Sequence, residues 1–92
     1  MRNRVGNEIS YDYDRRFDVL YVSFGAPRES YCEEPEEGFL IRHNLIDGSF
    51  AGVTVIEFMR RCQEGTLPKI PLPVDIDFGG IARRLRGTSE TT

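Results

Sequence analysis

The chain has 92 residues, a formal net charge of −3 at neutral pH, 39% hydrophobic and 29% charged residues, and two cysteines with one histidine. That length makes one domain, and the composition is that of a folded globular protein rather than a disordered one. The acidic balance argues against a nucleic-acid partner, whose phosphates require a basic surface, and no apolar run approaches the ~20 residues a membrane span needs.

The N-terminus, residues 1–7, is polar, reads as frayed and carries no apolar run of the kind a signal peptide has. Residues 8–13 alternate, with Ile9, Tyr11 and Tyr13 on one face and polar side chains on the other, as in a half-buried strand. A polar turn, Asp14-Arg15-Arg16-Phe17, follows. Val19–Phe24 is apolar on both faces: Leu20, Val22 and Phe24 on one, Val19 and Tyr21 on the other. Such a strand belongs inside a sheet, with one face on the domain's own helix and the other on a partner subunit. Gly25-Ala26-Pro27 stops it, because proline cannot donate to a ladder.

The segment 30–37 opens as a short strand and continues as an acidic loop, with Glu33, Glu34, Glu36 and Glu37 around Pro35. Residues 39–45 form the next strand, with Phe39, Ile41 and His43 on one face and Leu40, Arg42 and Asn44 on the other. Asp47-Gly48 is the strongest hairpin signal in the chain. Phe50–Ile56 returns as a strand with apolar residues on both faces, one of them interrupted by Gly52 and Thr54. A short helix begins at Glu57 or Phe58 and ends at Gly65 as a C-cap. Pro68, Pro71 and Pro73 force residues 67–77 into an extended arm, which covers a sheet edge or reaches another subunit. Residues 78–86 form a second short helix, capped by Asp77 or Asp75, with Ile81 and Leu85 on one side and Arg83, Arg84 and Arg86 outward. A polar tail, 88–92, ends the chain.

The fold expected from this order is α+β: a small meandering antiparallel sheet of about four strands, one or two short helices and a proline-rich C-terminal arm. The core spans about residues 8–65, and the arm with its helix 66–87.

Several residues in this pattern resemble a known family. They are Tyr13-Asp14 before a short turn, Asp18-Val19-Leu20-Tyr21-Val22 on the next strand, Gly38 opening a strand, the Asp47-Gly48 hairpin and Gly52 on the return strand. Over roughly half its length the chain resembles the small bacterial proteins catalogued as domain of unknown function 2283. The family often has acidic residues where this chain has Arg42, His43 and Asn44, and a glutamate where it has Thr54; the proline-rich arm extends beyond the usual family core. The resemblance implies no established activity, and it implies a likeness to the antitoxin half of a toxin–antitoxin pair.

Chemistry-bearing groups are few. The glutamates of 33–37 read as a solvated loop, since no calcium-loop spacing accompanies them. His43 is the lone imidazole, with Glu57 and Cys32 as possible neighbours; without a catalytic signature it reads as a structural histidine. Asp14 and Asp18 read as turn-fixing carboxylates rather than an acid–base dyad. Cys32 and Cys62 read as two reduced thiols of a cytoplasmic protein. No Cys-x-x-Cys or four-ligand set is present, so no metal and no cofactor is expected. The function expected is a non-enzymatic interaction module that forms a homo-oligomer. Its candidate contact residues are Val19, Tyr21, Phe50, Val53, Val55, Pro71, Pro73, Arg83 and Arg84. The alternatives are an antitoxin-like partner of a small basic toxin, for which the acidic balance speaks, and a ligand-binding or catalytic domain centred on His43.

Overall fold

A computed structural model of the chain describes residues 3–5, 9–26 and 28–90, without the side chains of 3–5 and 88–90. The architecture is α+β: one antiparallel sheet with both helices on one side. The strands are β1 (Asn3–Val5), β2 (Ile9–Asp14), β3 (Val19–Phe24), β4 (Ser30–Glu36), β5 (Phe39–Asn44) and β6 (Phe50–Ile56). The helices are α1 (Phe58–Glu64) and α2 (Phe78–Glu90). Five strands are six or seven residues long and β1 adds three residues at one edge, in the order β1-β2-β3-β6-β5-β4. The two strands that are apolar on both faces, β3 and β6, are therefore the central pair.

The expectation of about four strands undercounts the sheet. Asn3–Val5 pairs with Ile9–Tyr11, although its sequence has no alternation to mark it. The acidic segment read as a loop is the strand β4, paired with β5 through Glu36 and irregular between Glu33 and Glu36. It holds Pro35 and three glutamates because it is an edge: one side needs no ladder partner, and charges and a bulge there discourage edge-to-edge association. At the other end, α2 continues past Gly87 to Glu90, where a tail was expected. The expectations for residues 1–2, 6–8, 27 and 91–92, the strand-stopping Pro27 among them, lie outside the described residues.

Cross-strand register assigns the faces. Tyr11 stands opposite Val22, Tyr13 opposite Leu20, Val22 opposite Val53, and Leu20 and Phe39 opposite Val55. These side chains share the face that carries the helices. Their core continues through Ile41, Phe58, Ile81, Ala82 and Leu85, with Leu20, Val53, Val55 and Phe58 wholly buried. Phe78 ties the layers together, its ring centroid 6.2 Å from those of both Phe39 and Phe58. Full burial of a Leu or Phe side chain stabilises by about 1.5–3 kcal/mol, so this face carries most of the stability. Residues 66–77, between the helices, hold no regular secondary structure; Leu67, Ile70, Leu72 and Ile76 pack against the core from there.

Candidate functional site

Asp18 organises one end of the sheet. It ends the β2–β3 turn in the left-handed region, at φ 57°, which aspartate tolerates better than most side chains. Its Oδ1 accepts the Tyr13 hydroxyl at 2.6 Å and the Met59 amide at 2.8 Å, its Oδ2 accepts the Arg60 amide at 3.1 Å, and its carbonyl takes the Phe58 amide at 3.0 Å. The formal N-cap of α1 is Glu57, which gives the helix no side-chain cap. Asp18 supplies that cap from 41 positions away. Burial, reinforced by the Asp18 carboxylate, pushes the Tyr13 phenol well above its ordinary range. Asp14 accepts the Arg16 and Phe17 amides, so both aspartates fix backbone, as expected of turn carboxylates.

Among the described residues, no helix or strand covers the face of the sheet opposite the helices. Val19 pairs with Ile56, Tyr21 with Thr54, and Thr54 with Leu40. The five form a contiguous patch over β3, β6 and β5, with Tyr21 43% and Ile56 41% exposed. Beside it, Arg42 lies across Gly52, its guanidinium donating to the Val22 carbonyl and to Ser23 Oγ at 3.3 Å. Gly52, at φ 153°, has room for nothing more: a Cβ there would collide with the Val22 carbonyl and with Arg42.

His43 sits near the sheet edge on the helix side. Its ring stacks on Tyr31 with centroids 5.2 Å apart, and its Nε2 lies 3.0 Å from Glu33 Oε1. The neighbours expected for it are elsewhere: Glu57 pairs with Arg60, and Cys32 stands opposite Arg42 on the other face of the edge. An exposed carboxylate, a stacked ring and an imidazole hold a strand edge together; the carboxylate of Glu33 is the hydrogen-bond partner of this imidazole among the described residues. Among the described residues, no group of three or more His, Cys, Asp or Glu side chains is arranged to hold a metal ion.

Two grooves flank the arm. The first, about 750 Å³, runs between α1, the arm and α2, and includes Cys62, Lys69, Arg83 and Arg86. The second, about 660 Å³, lies between the β3–β4 and β5–β6 loops and is walled by Phe24, Phe50, Pro73 and Val74. Its rim includes Ile46, 93% exposed at the hairpin whose Asp47 carboxylate accepts the Ser49 amide and hydroxyl. Those two bonds hold the Asp47 carboxyl below its ordinary range.

The candidate contact residues therefore divide. Val19 and Tyr21 lie on the open face. Val53 and Val55 do not: they are wholly buried in the core and offer a partner no surface. Phe50 also belongs to the helix side, packed on Phe24 at 5.8 Å between centroids. The β5–β6 register shifts between Arg42 and His43, which stand opposite Gly52 and Phe50, and that bulge breaks the simple alternation along β6. Pro71 and Pro73 line one groove each, and Arg83 and Arg84 are exposed on α2. Leu40, Thr54 and Ile56 complete the open patch and were outside the expected set; Thr54 follows from alternation back from Ile56, while Leu40 joins it only through the cross-strand register. Cys32 and Cys62 are free thiols, the first exposed, the second half-buried with its pKa raised by burial. No helix among the described residues is long and apolar enough to cross a membrane. No protein-family model, curated protein or solved structure matches the chain.

Proposed function

We propose that the chain is a non-enzymatic interaction module that self-associates through the open face of its sheet. The observation that carries this reading is the contiguous patch of Val19, Tyr21, Leu40, Thr54 and Ile56, centred on the two middle strands with no helix or strand of the described residues above it. A second copy fits it because the patch straddles the β3–β6 seam, so a two-fold axis along that seam buries the same residues on both copies. The strand spacings of the five long strands and their lengths give a face of about 20 by 20 Å, or roughly 800 Å² for two copies. That is below the ~1,000 Å² a stable specific interface clears and falls among weak, transient contacts, so the expected dimer is weak and dissociates in the micromolar range or above. Sedimentation equilibrium over a hundredfold range of concentration tests it. A mass that rises from one chain to two supports the reading; a monomer at every concentration overturns it.

A second reading is favoured by β4. This edge strand is exposed over almost its whole length and bears Glu33, Glu34 and Glu36, with Glu37 following. It offers an acidic rail to a small basic protein, as the antitoxin-like role implied by the family resemblance would require. The module is then bacterial and cytoplasmic, with reduced thiols. A basic protein recovered with the chain from its native host, and lost when these glutamates become glutamine, would favour this reading.

A further inference from the structure

The groove between α1, the arm and α2 is locally opposite in charge to the chain around it. The chain carries −3 overall, yet the groove is lined by Arg61, Lys69, Arg83 and Arg86 against one acid, Asp75. Arg61 donates to the carbonyls of Ile56 and Glu37, at 2.8 and 2.9 Å, so its charge is held in place without being neutralised by a carboxylate. Gly38 makes room for it: a Cβ at that residue would strike the Arg61 guanidinium. Among the described residues, no carboxylate pairs with Lys69, Arg83 or Arg86. Side chains that do not meet a partner within the fold are free to meet one outside it.

The rest of the lining is largely apolar: Ile70, Leu72 and Ile76 come from the arm, each half-buried with one side against the core. The half-buried Cys62 thiol lies there too, close enough to both Arg86 and the Asp18 carboxylate to feel their charges. About 750 Å³ is within the range of ~300–1,000 Å³ typical of small-molecule sites. An apolar lining with cations that no described carboxylate pairs is complementary to one kind of small molecule, an apolar body ending in an anionic group. Purely apolar molecules leave the cations unused, and amphiphilic cations meet four like charges.

From this we infer that the groove binds a small amphiphilic carboxylate, its tail against Ile70, Leu72 and Ile76 and its carboxylate among Lys69, Arg83 and Arg86. This site lies on the helix side of the molecule, away from the open sheet face, and stands or falls independently of self-association.

Decanoate is the probe, with decanol and decyltrimethylammonium as the neutral and cationic controls. Titration calorimetry is expected to give saturable one-to-one binding of decanoate and at least tenfold weaker binding of both controls. Arg83→Ala/Arg86→Ala, which changes exposed side chains only, is expected to weaken decanoate about tenfold or more through loss of charge-assisted contacts, with an unchanged melting temperature. Lys69→Glu, on a different element, is expected to weaken it in the same direction. In a Cys32→Ser background, decanoate is expected to slow alkylation of Cys62, which places the ligand in this groove rather than on the open face. Absence of saturable binding, equal binding of decanol, full affinity in both cation variants, or unprotected Cys62 would each overturn the inference.

Discussion

The two faces of the sheet are made from the same strands and behave oppositely. On the helix side, Leu20, Val22, Val53 and Val55 are at most 1% exposed and interlock with Phe58 and α2. On the far side, Tyr21 and Ile56, immediate chain neighbours of such core residues, stay more than two-fifths exposed. Side-chain direction alternates along a strand, so hydrophobicity on both faces of β3 and β6 creates two surfaces that need cover. One chain of this size supplies helices for one of them. The closed face holds the fold together, and the open face is the one the proposed self-association uses.

Variants on the two faces separate these roles. The largest effect is expected from Phe58→Ala. It empties a wholly buried site between Tyr13 and Phe78 and should cost about 3–5 kcal/mol in chemical denaturation. Asp18→Ala removes the cap of α1, orphans the Tyr13 hydroxyl and places alanine at a left-handed φ, for an expected loss of about 2–3 kcal/mol. Asp18→Asn, which keeps an acceptor and tolerates that φ, should lose clearly less. Gly52→Ala bridges the comparison: its Cβ would strike the Val22 backbone and lift Arg42 from the open face, so about 2 kcal/mol is expected from a face that otherwise contributes little. Ile56→Lys, on the open face itself, should change stability by no more than about 0.5 kcal/mol. Glu33→Gln, at the exposed His43 pair, should change it by about 1 kcal/mol at most.

A pH effect follows from Cys62. Burial raises its pKa, so the unfolded chain loses the thiol proton first as pH rises. The native state's preference for the neutral thiol is fully present below the ordinary thiol range and is lost as pH climbs toward the raised value. The thiols should also differ in rate. Exposed Cys32 is expected to react with iodoacetamide before Cys62 at mildly alkaline pH, which mass spectrometry of partly labelled protein would resolve.

Much of this contrast was legible from residues alone. The two-sided hydrophobicity of Val19–Phe24 placed it inside the sheet, and local chemistry marked the end of α1 and the start of α2. Gly65 closes α1, its amide donating to the Arg61 carbonyl, and Asp77 caps α2 by accepting the Gly80 amide at 3.0 Å. What was not legible had non-local causes. Glu33–Glu36 reads as loop because glutamate and proline are poor strand formers, and only its place at an edge makes it a strand. Phe50 reads as an interface residue until the bulge in β6 changes its face. Asp18 reads as a turn aspartate, while its main partners are amides 41 and 42 positions along the chain. The groove cations were visible as Arg83 and Arg86, but the apolar lining beside them depends on how the arm folds back.

The central claim is that the open face, and no other surface, joins two copies. Sedimentation equilibrium of Ile56→Lys beside the unmodified chain tests it most directly, with thermal unfolding as a check on folding. The account predicts that the unmodified chain associates with a dissociation constant in the micromolar range or above, while Ile56→Lys stays a monomer at the same concentrations with an unaltered melting temperature. A variant that associates as tightly as the unmodified chain would place the interface elsewhere and contradict it.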